Sequence, residues 1–288
     1  MKSNKNHLIV GIGELLWDMF PEGKKAGGAP VNFVYHATSL GAEGYAISAV
    51  GKDHLGNEII DLINEKGVKH IIAKVDYPTG TVDVQLKQGI PTYTITKDVA
   101  WDYIPLTDQI AELARNTDAV CFGTLAQRAS ISRESIRSFL SLVPENSFRI
   151  LDINLRPPFY SYELIKESMQ LCNILKLNDD ELDIVKEMFH IESNDKTEVC
   201  NWLINAYDLK YLILTAGADY SKVFSQENMS LIETPRVNVQ DTVGAGDSFT
   251  GAFITSLLNG DTMEVAHLKA VERAAIVCTV AGAWLDDL

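Results

Sequence analysis

The chain has 288 residues, 46% of them hydrophobic, enough to bury the core of one large α/β domain or two small ones, which excludes intrinsic disorder and a disulfide-stapled mini-fold. Its 25 Lys and Arg against 39 Asp and Glu give a formal charge of −14, a field that repels phosphate backbones and anionic lipid, so neither nucleic acid nor a membrane is expected as a partner. The longest apolar stretch, Ala274 to Leu285, is interrupted by Thr279 and Gly282 and falls short of the roughly 20 residues of a spanning helix, and the first residues lack the apolar run of a signal peptide, so a cytoplasmic chain is expected.

Short β-type runs alternate with amphipathic helical stretches, the pattern of a mostly parallel central sheet flanked by helices on both faces. The first strand is predicted over Leu8 to Ile12 and the next over Tyr45 to Val50. A helix follows with Leu55, Ile59, Leu62 and Ile63 on one face, closed by Gly67. Thr79 to Thr96 breaks the rhythm: its alternating β-branched residues and a turn near Gln88-Gly89-Ile90-Pro91 predict a hairpin, read either as a lid or as an ordinary edge hairpin. Further strands are predicted over Ala119 to Gly123, Arg149 to Ile153, Ile174 to Leu177 and Tyr211 to Thr215. Two helical stripes lie between them, Ile136, Phe139, Leu140 and Val143, then Leu182, Val185, Met188 and Phe189. A last strand is predicted over Arg236 to Val239, before an amphipathic helix carrying Phe249, Ala252, Phe253 and Leu257 and ending at Asn259-Gly260. No repeat or linker divides the chain, so residues 1–288 read as a single domain. Cys121, Cys172, Cys200 and Cys278 have no metal-ligand spacing and read as reduced core thiols.

Neither Gly23-Lys24 nor Gly51-Lys52 continues into the Ser or Thr of a P-loop, and Gly11-Ile12-Gly13 lacks the third glycine of a dinucleotide fingerprint. The informative segment is Asp241-Thr242-Val243-Gly244-Ala245-Gly246-Asp247. Small residues at a helix N-terminus leave backbone N–H groups free, and the helix dipole adds positive charge there, so an anion is held without a lysine. Asp247, in the first turn beside that anion hole, is placed to accept the proton of an attacking hydroxyl. On the residues alone, Gly-Ala-Gly also reads as a tight turn and Asp247 as a favourable helix start.

At these residues the chain resembles the ribokinase-like, or PfkB, family of sugar and nucleoside kinases, whose DTxGAGD motif is matched by Asp241 to Asp247. Gly27-Gly28-Ala29-Pro30-Val31-Asn32 matches the family's N-terminal Gly-Gly motif, and Asn178-Asp179-Asp180-Glu181 its Asn-x-x-Glu motif. The resemblance covers essentially the whole chain. It implies a ribokinase-like α/β domain with a small β-strand lid from roughly residues 14–26 and 79–101, with ATP as phosphoryl donor and Mg²⁺. It also implies Asp247 as catalytic base, an anion hole on the backbone of Gly244, Ala245 and Gly246, and sugar contacts from Asp18, Gly27, Gly28 and Asn32. Asn178 and Glu181 match the motif acting around Mg²⁺ and phosphates, with Glu181 reaching the metal through water; without the resemblance they read as decoration of a helix N-terminus. Thr215 and Gly217 match nucleotide-site positions, although Tyr220 replaces a further glycine of that turn. Asp241 matches a residue that helps bind a monovalent cation, which brings in K⁺, with Ala281-Gly282-Ala283 partly matching the loop that completes the site.

Within the family the chain looks most like bacterial fructokinases, through GELLWDMFPEG, GGAPVNFVYHATSLG, VAWDYI and DINLRPPFY. The last begins at the carboxyl end of a predicted parallel strand, where open α/β sheets place their sites, and it offers Arg156 to sugar hydroxyls or phosphate, with Arg128 a similar candidate. The expected activity is ATP-dependent phosphorylation of D-fructose to fructose 6-phosphate. The alternatives are a 2-keto-3-deoxygluconate kinase, whose carboxylate substrate favours a guanidinium clamp, another sugar kinase of the family, and a non-catalytic sugar or nucleotide sensor. The expected partners are a small-molecule sugar and ATP, and the lid edge offers a surface for a homodimer.

Overall fold

The computed structural model describes residues 6–21, 23–87 and 90–285. Its strands and helices run in chain order as β1 (Leu8–Ile12), β2 (Leu16–Phe20), β3 (Gly23–Gly27), α1 (Ala29–Ser39), β4 (Glu43–Gly51), α2 (His54–Glu65), β5 (Lys69–Val75), β6 (Gly80–Lys87) and β7 (Ile90–Ile95). They continue as α3 (Asp108–Arg115), β8 (Ala119–Gly123), α4 (Ser130–Leu142), β9 (Phe148–Asp152), α5 (Tyr162–Leu171), β10 (Ile174–Asn178), α6 (Asp179–Met188) and α7 (Lys196–Tyr207). The last are β11 (Tyr211–Ala216), β12 (Tyr220–Phe224), β13 (Met229–Glu233), α8 (Ala245–Leu258) and α9 (Met263–Val277). Short 3-10 turns cover Ala100–Tyr103 and Leu125–Arg128. No helix among the described residues is long and apolar enough to cross a membrane.

A nine-stranded sheet runs β13-β12-β11-β10-β9-β8-β1-β4-β5, and every pair from β11 to β5 is parallel. Only the β12 and β13 pairings are antiparallel. The central strands are apolar on both faces, as helical layers above and below require: Val10, Phe122, Leu151 and Leu175 bury into one layer, Ile9, Cys121, Ile150 and Ile174 into the other. A second sheet, β3-β2-β6-β7, is mostly antiparallel, with β2 and β6 parallel. The hairpin expected over Thr79 to Thr96 is the β6–β7 pair; Gln88 and Gly89 of its turn lie outside the described residues.

Three expectations need correction. Arg236 to Val239 is not a strand: residues 236–239 are exposed coil, and the strand lies earlier, at β13. The alternation of Val237 and Val239 has no neighbouring strand to bury against, so it makes no ladder. Helix α8 is not amphipathic in its setting, because residues 248–256 are buried on every side between α1 and α9. Cys121, Cys172 and Cys200 are buried as expected, but Cys278 is only half-buried at the end of α9.

Candidate active site

The site forms where the carboxyl ends of β1, β9 and β10 meet the N-termini of α1 and α8. Helix α8 starts from Gly244 in the left-handed region at φ +76°, and no side chain caps it. A side chain there is excluded twice, by that backbone and by Ala283, whose Cβ lies 2.5 Å from where a Cβ at 244 would stand. The first intrahelical bond runs from Ser248 N to Gly244 O, so the amides of Gly246 and Asp247 precede it and point out of the helix end. The Ala245 amide, counted in the expected anion hole, already donates to Thr242 O at 3.3 Å.

Asp247 lies half-buried in the first turn of α8, and Asn32 of α1 donates its amide to Oδ2 at 2.8 Å. Burial, then the nearby Asp152 carboxylate, push its pKa up to about 7, against the opposing pull of Lys176 and Asn32. Lys176, from β10, reaches Asp152, from β9, at 3.0 Å, and its Nζ lies 2.9 Å from where a Cβ of Gly246 would be. Burial works against that charge, but Asp152, Glu181 and Asp247 hold the ammonium's pKa above its ordinary value. Glu14, in the loop after β1, is fully enclosed; burial raises its pKa, and its Oε2 has no hydrogen-bond partner among the described residues. Lys176 and Glu14 carry no role in the sequence reading, and Asp152 enters it only as the start of a strand end.

The expected sugar-side residues fall beside this cluster. Asp18, on β2, has its Oδ2 2.7 Å from where a Cβ at Gly27 would stand, so glycine is what lets the carboxylate lie against the backbone. Burial raises the Asp18 pKa to about 6, while Arg156 and Lys25 pull it back. Gly28, at φ +127°, passes so close to Glu14 that a Cβ would stand 2.2 Å from the Glu14 carbonyl oxygen. Arg156 is exposed, makes no ion pair among the described residues, and acts on Asp18 and Glu14 through its field. Arg128 is engaged elsewhere: it binds both oxygens of Asp102 at 2.8 Å, donates to Thr96 O at 2.6 Å, and packs on Trp101 and Phe159. Only its Nη1 is left without a partner among the described residues.

Of the expected nucleotide-side residues, Asn178 and Glu181 form a reciprocal capping box at the start of α6, with both bonds at 2.8 Å. Glu181 Oε1 also accepts from Leu155 N at 2.8 Å, in the loop that carries Arg156. Both oxygens are therefore held by backbone amides with a lone pair to spare, which fits contact with Mg²⁺ through water rather than direct ligation. Thr215 pairs with Asn178 across the β10–β11 register, and Gly217 follows at φ +50°. Asp241 is tied to Lys25 Nζ at 3.0 Å, to Gly282 N at 2.9 Å and to Val243 N at 3.1 Å. Burial opposes its charge, but these donors hold its pKa below the usual carboxylate value. A lysine ammonium thus already stands beside the carboxylate expected to meet K⁺. A crevice of about 770 Å³ opens at the opposite, amino ends of β9, β10 and β11, lined by Phe148, Asn173 and Tyr211 among others, and shares no residue with this cluster.

Fold and site together define the class of α/β kinases that transfer a phosphoryl group to a sugar or nucleoside hydroxyl. The chain belongs to the pfkB family of carbohydrate kinases, whose model matches residues 18–286. It is 28% identical to an uncharacterised sugar kinase of Pyrococcus horikoshii over 96% of this chain and 92% of that protein. The crystal structure of that kinase superposes with a TM-score of 0.83 at 26% identity, covering 96% of this chain and 93% of that one. A second structure of it, in complex with ATP, gives 0.81 at 25% identity, covering 96% and 94%. The chain is also 27% identical to an ATP-dependent 6-phosphofructokinase of Thermoanaerobacterium thermosaccharolyticum, over 98% of this chain and 91% of that protein. A fructokinase of Rhizobium leguminosarum bv. trifolii is 24% identical, over 93% and 85%.

Proposed function

We propose that the protein is an ATP-dependent fructokinase acting in the cytoplasm. The observation that carries the kinase chemistry is the half-buried Asp247 carboxylate, in the first turn of a helix whose leading amides have no side-chain cap, with its pKa raised to about 7. In this reading Asp247 takes the proton of the fructose C6 hydroxyl as its oxygen attacks the γ-phosphorus of ATP, the bond to the β-phosphate oxygen breaks, and ADP leaves. The amides of Gly244 and Gly246 face the charge on the phosphoryl group in flight, with Lys176 behind them. Glu181 would hold Mg²⁺ through water, and the ion when bound would supply charge neutralisation on the phosphates. Asp18, Gly27, Gly28 and Asn32 grip the sugar; Asn178, Thr215 and Gly217 line the nucleotide. The β3-β2-β6-β7 sheet closes over the sugar and excludes water. Its outer strands β3 and β7 are unpaired on one side within the described chain, and a homodimer through them accompanies this reading.

Fructose is favoured by the fructokinase-like segments around Asp18, Asn32 and Arg156 and by the fructokinase among the relatives. Arg156, exposed and without an ion pair among the described residues, favours a second reading in which a carboxylate-bearing sugar such as 2-keto-3-deoxygluconate is the acceptor. An ADP-release assay with Mg-ATP and a panel of fructose, fructose 6-phosphate, ribose, 2-keto-3-deoxygluconate and adenosine tests both. Turnover with fructose alone is the expected result; turnover only with another member moves the acceptor, and turnover with none returns the sensor reading.

A further inference from the structure

The turn at Gly282 to Leu285 touches the candidate site at three points, although it lies far along the chain from most of it. Gly282 N donates to Asp241 at 2.9 Å, and Ala283 packs against Gly244. Trp284 donates its indole N–H to Asn32 Oδ1 at 2.8 Å, and Asn32 in turn donates to Asp247 Oδ2 at 2.8 Å. The turn is anchored on α1. Tyr35 donates its hydroxyl to Leu285 O at 2.7 Å and stacks on the Trp284 ring with centroids 5.5 Å apart, and His36 Nε2 meets Ala283 O at 2.9 Å. Arg273 fixes the other His36 nitrogen as an acceptor by donating to Nδ1 at 3.2 Å.

An asparagine amide has an acceptor end and a donor end, and little besides hydrogen bonding distinguishes them. The indole N–H donates only, so the amide end that faces it is the oxygen, and the NH₂ is turned onto Asp247. From these contacts we infer that Trp284 is a positioning residue for phosphoryl transfer, holding the Asn32 amide so that its N–H stays on the carboxylate of Asp247.

The inference rests on the reading of Asp247 as the base. The groups that face Asp247 are Asp152 from β9 and Glu14 from the loop after β1, which work against its charge, and Lys176 from β10 and Asn32 from α1, which favour it; the buried Cys121 thiol stands nearby on β8. Losing the Asn32 contact removes one of the two groups that favour the ionised carboxylate. Without the indole N–H the amide is free to turn its oxygen onto Asp247, which opposes ionisation outright.

The test is the pH profile of turnover in Trp284→Phe, and in a chain carrying a benzothiophene analogue at 284, which keeps ring size and stacking and replaces only the N–H by sulfur. The expected result in both is an acid limb moved up by about one pH unit, a kcat that recovers at alkaline pH, and an unchanged KM for ATP. In an Asn32→Ala background the same replacements add no further shift. An unmoved acid limb in the isosteric chain, or an equal shift with and without Asn32, overturns the inference. Asp247→Asn separates it from the underlying reading: near-normal turnover in that variant removes the base itself, whereas an inactive Asp247→Asn beside an unaffected isostere removes only the role of Trp284.

Discussion

The Lys176 ammonium lies 3.0 Å from the Asp152 carboxylate with both side chains almost wholly buried, a charge pair joining adjacent parallel strands directly beneath the start of α8. Removing one partner of such a pair leaves the other charged and dry. Lys176→Met is therefore expected to cost about 3–5 kcal/mol of stability, read by urea denaturation, and Asp152→Asn in the same chain should recover most of the loss. The single variant should also lose turnover beyond its stability defect, because the cation that favours ionised Asp247 is gone. A Lys176→Met protein as stable as the parent would mean that the pair contributes nothing to the fold.

The central strands were legible because burial on both faces writes them as unbroken apolar runs: Leu8–Ile12 and Ala119–Gly123 have the expected ends, and the others differ by at most two residues, as for Phe148–Asp152. The small-residue start of α8 was legible too, because glycine at Gly244 answers a local backbone need. What escaped were residues whose meaning is set by distant partners. Lys176 sits in ILKLN, where one lysine in an apolar strand reads as a surface position, and only the fold supplies Asp152 opposite. Trp284 and Asn32 are 252 positions apart, and no local pattern announces their bond. Arg236 to Val239 erred the other way: alternation was present, but a strand needs a neighbour, and none stands beside it.

In the proposed reading Asp247 serves as a base only when ionised, and burial beside Asp152 raises its pKa from the ordinary carboxylate range to about 7. As pH falls through that value the base gains a proton, so kcat/KM for the sugar should drop about tenfold per pH unit below it. Steady-state rates between pH 5 and pH 9 check this. Asp247→Asn should abolish the limb and lower turnover by a factor of about 10²–10⁴, with thermal stability kept or raised because a poorly solvated carboxylate beside Asp152 has been removed.

Gly28 combines a φ of +127° with a backbone that passes over the Glu14 carbonyl, where a Cβ would stand at 2.2 Å. Gly28→Ala meets both backbone strain and a clash with atoms that are not the flexible end of a side chain. The expected cost is about 2–4 kcal/mol, measured by chemical denaturation, together with a raised KM for the sugar as the Gly27-Gly28 segment is pushed off Asp18. Gly23→Ala separates the two effects: its φ of +152° still strains a side chain, but a Cβ there meets nothing within 4 Å, so it should lose only the strain part, about 1–2 kcal/mol, and less than Gly28→Ala.

Arg128 carries a fastening role that its contacts show and, in the proposed reading, a sugar-binding role as well. Its fork holds Asp102 and the Thr96 carbonyl, fastening the 3-10 turn at Ala100–Tyr103 to the end of β7, while its plane lies 3.9 Å from the Trp101 ring. Lysine keeps the charge but neither the two-pronged grip nor the flat stacking surface, so Arg128→Lys should lose about 1–3 kcal/mol of stability. The Arg128 Nη1, buried and unpaired among the described residues, is in the proposed reading the part left for a sugar hydroxyl once the small sheet moves to admit one, and lysine cannot reproduce it while also holding Asp102. The KM for the sugar should therefore rise by about tenfold, with the KM for ATP unchanged. A stability loss with both KM values unmoved would assign Arg128 wholly to fastening the small sheet to the body of the domain.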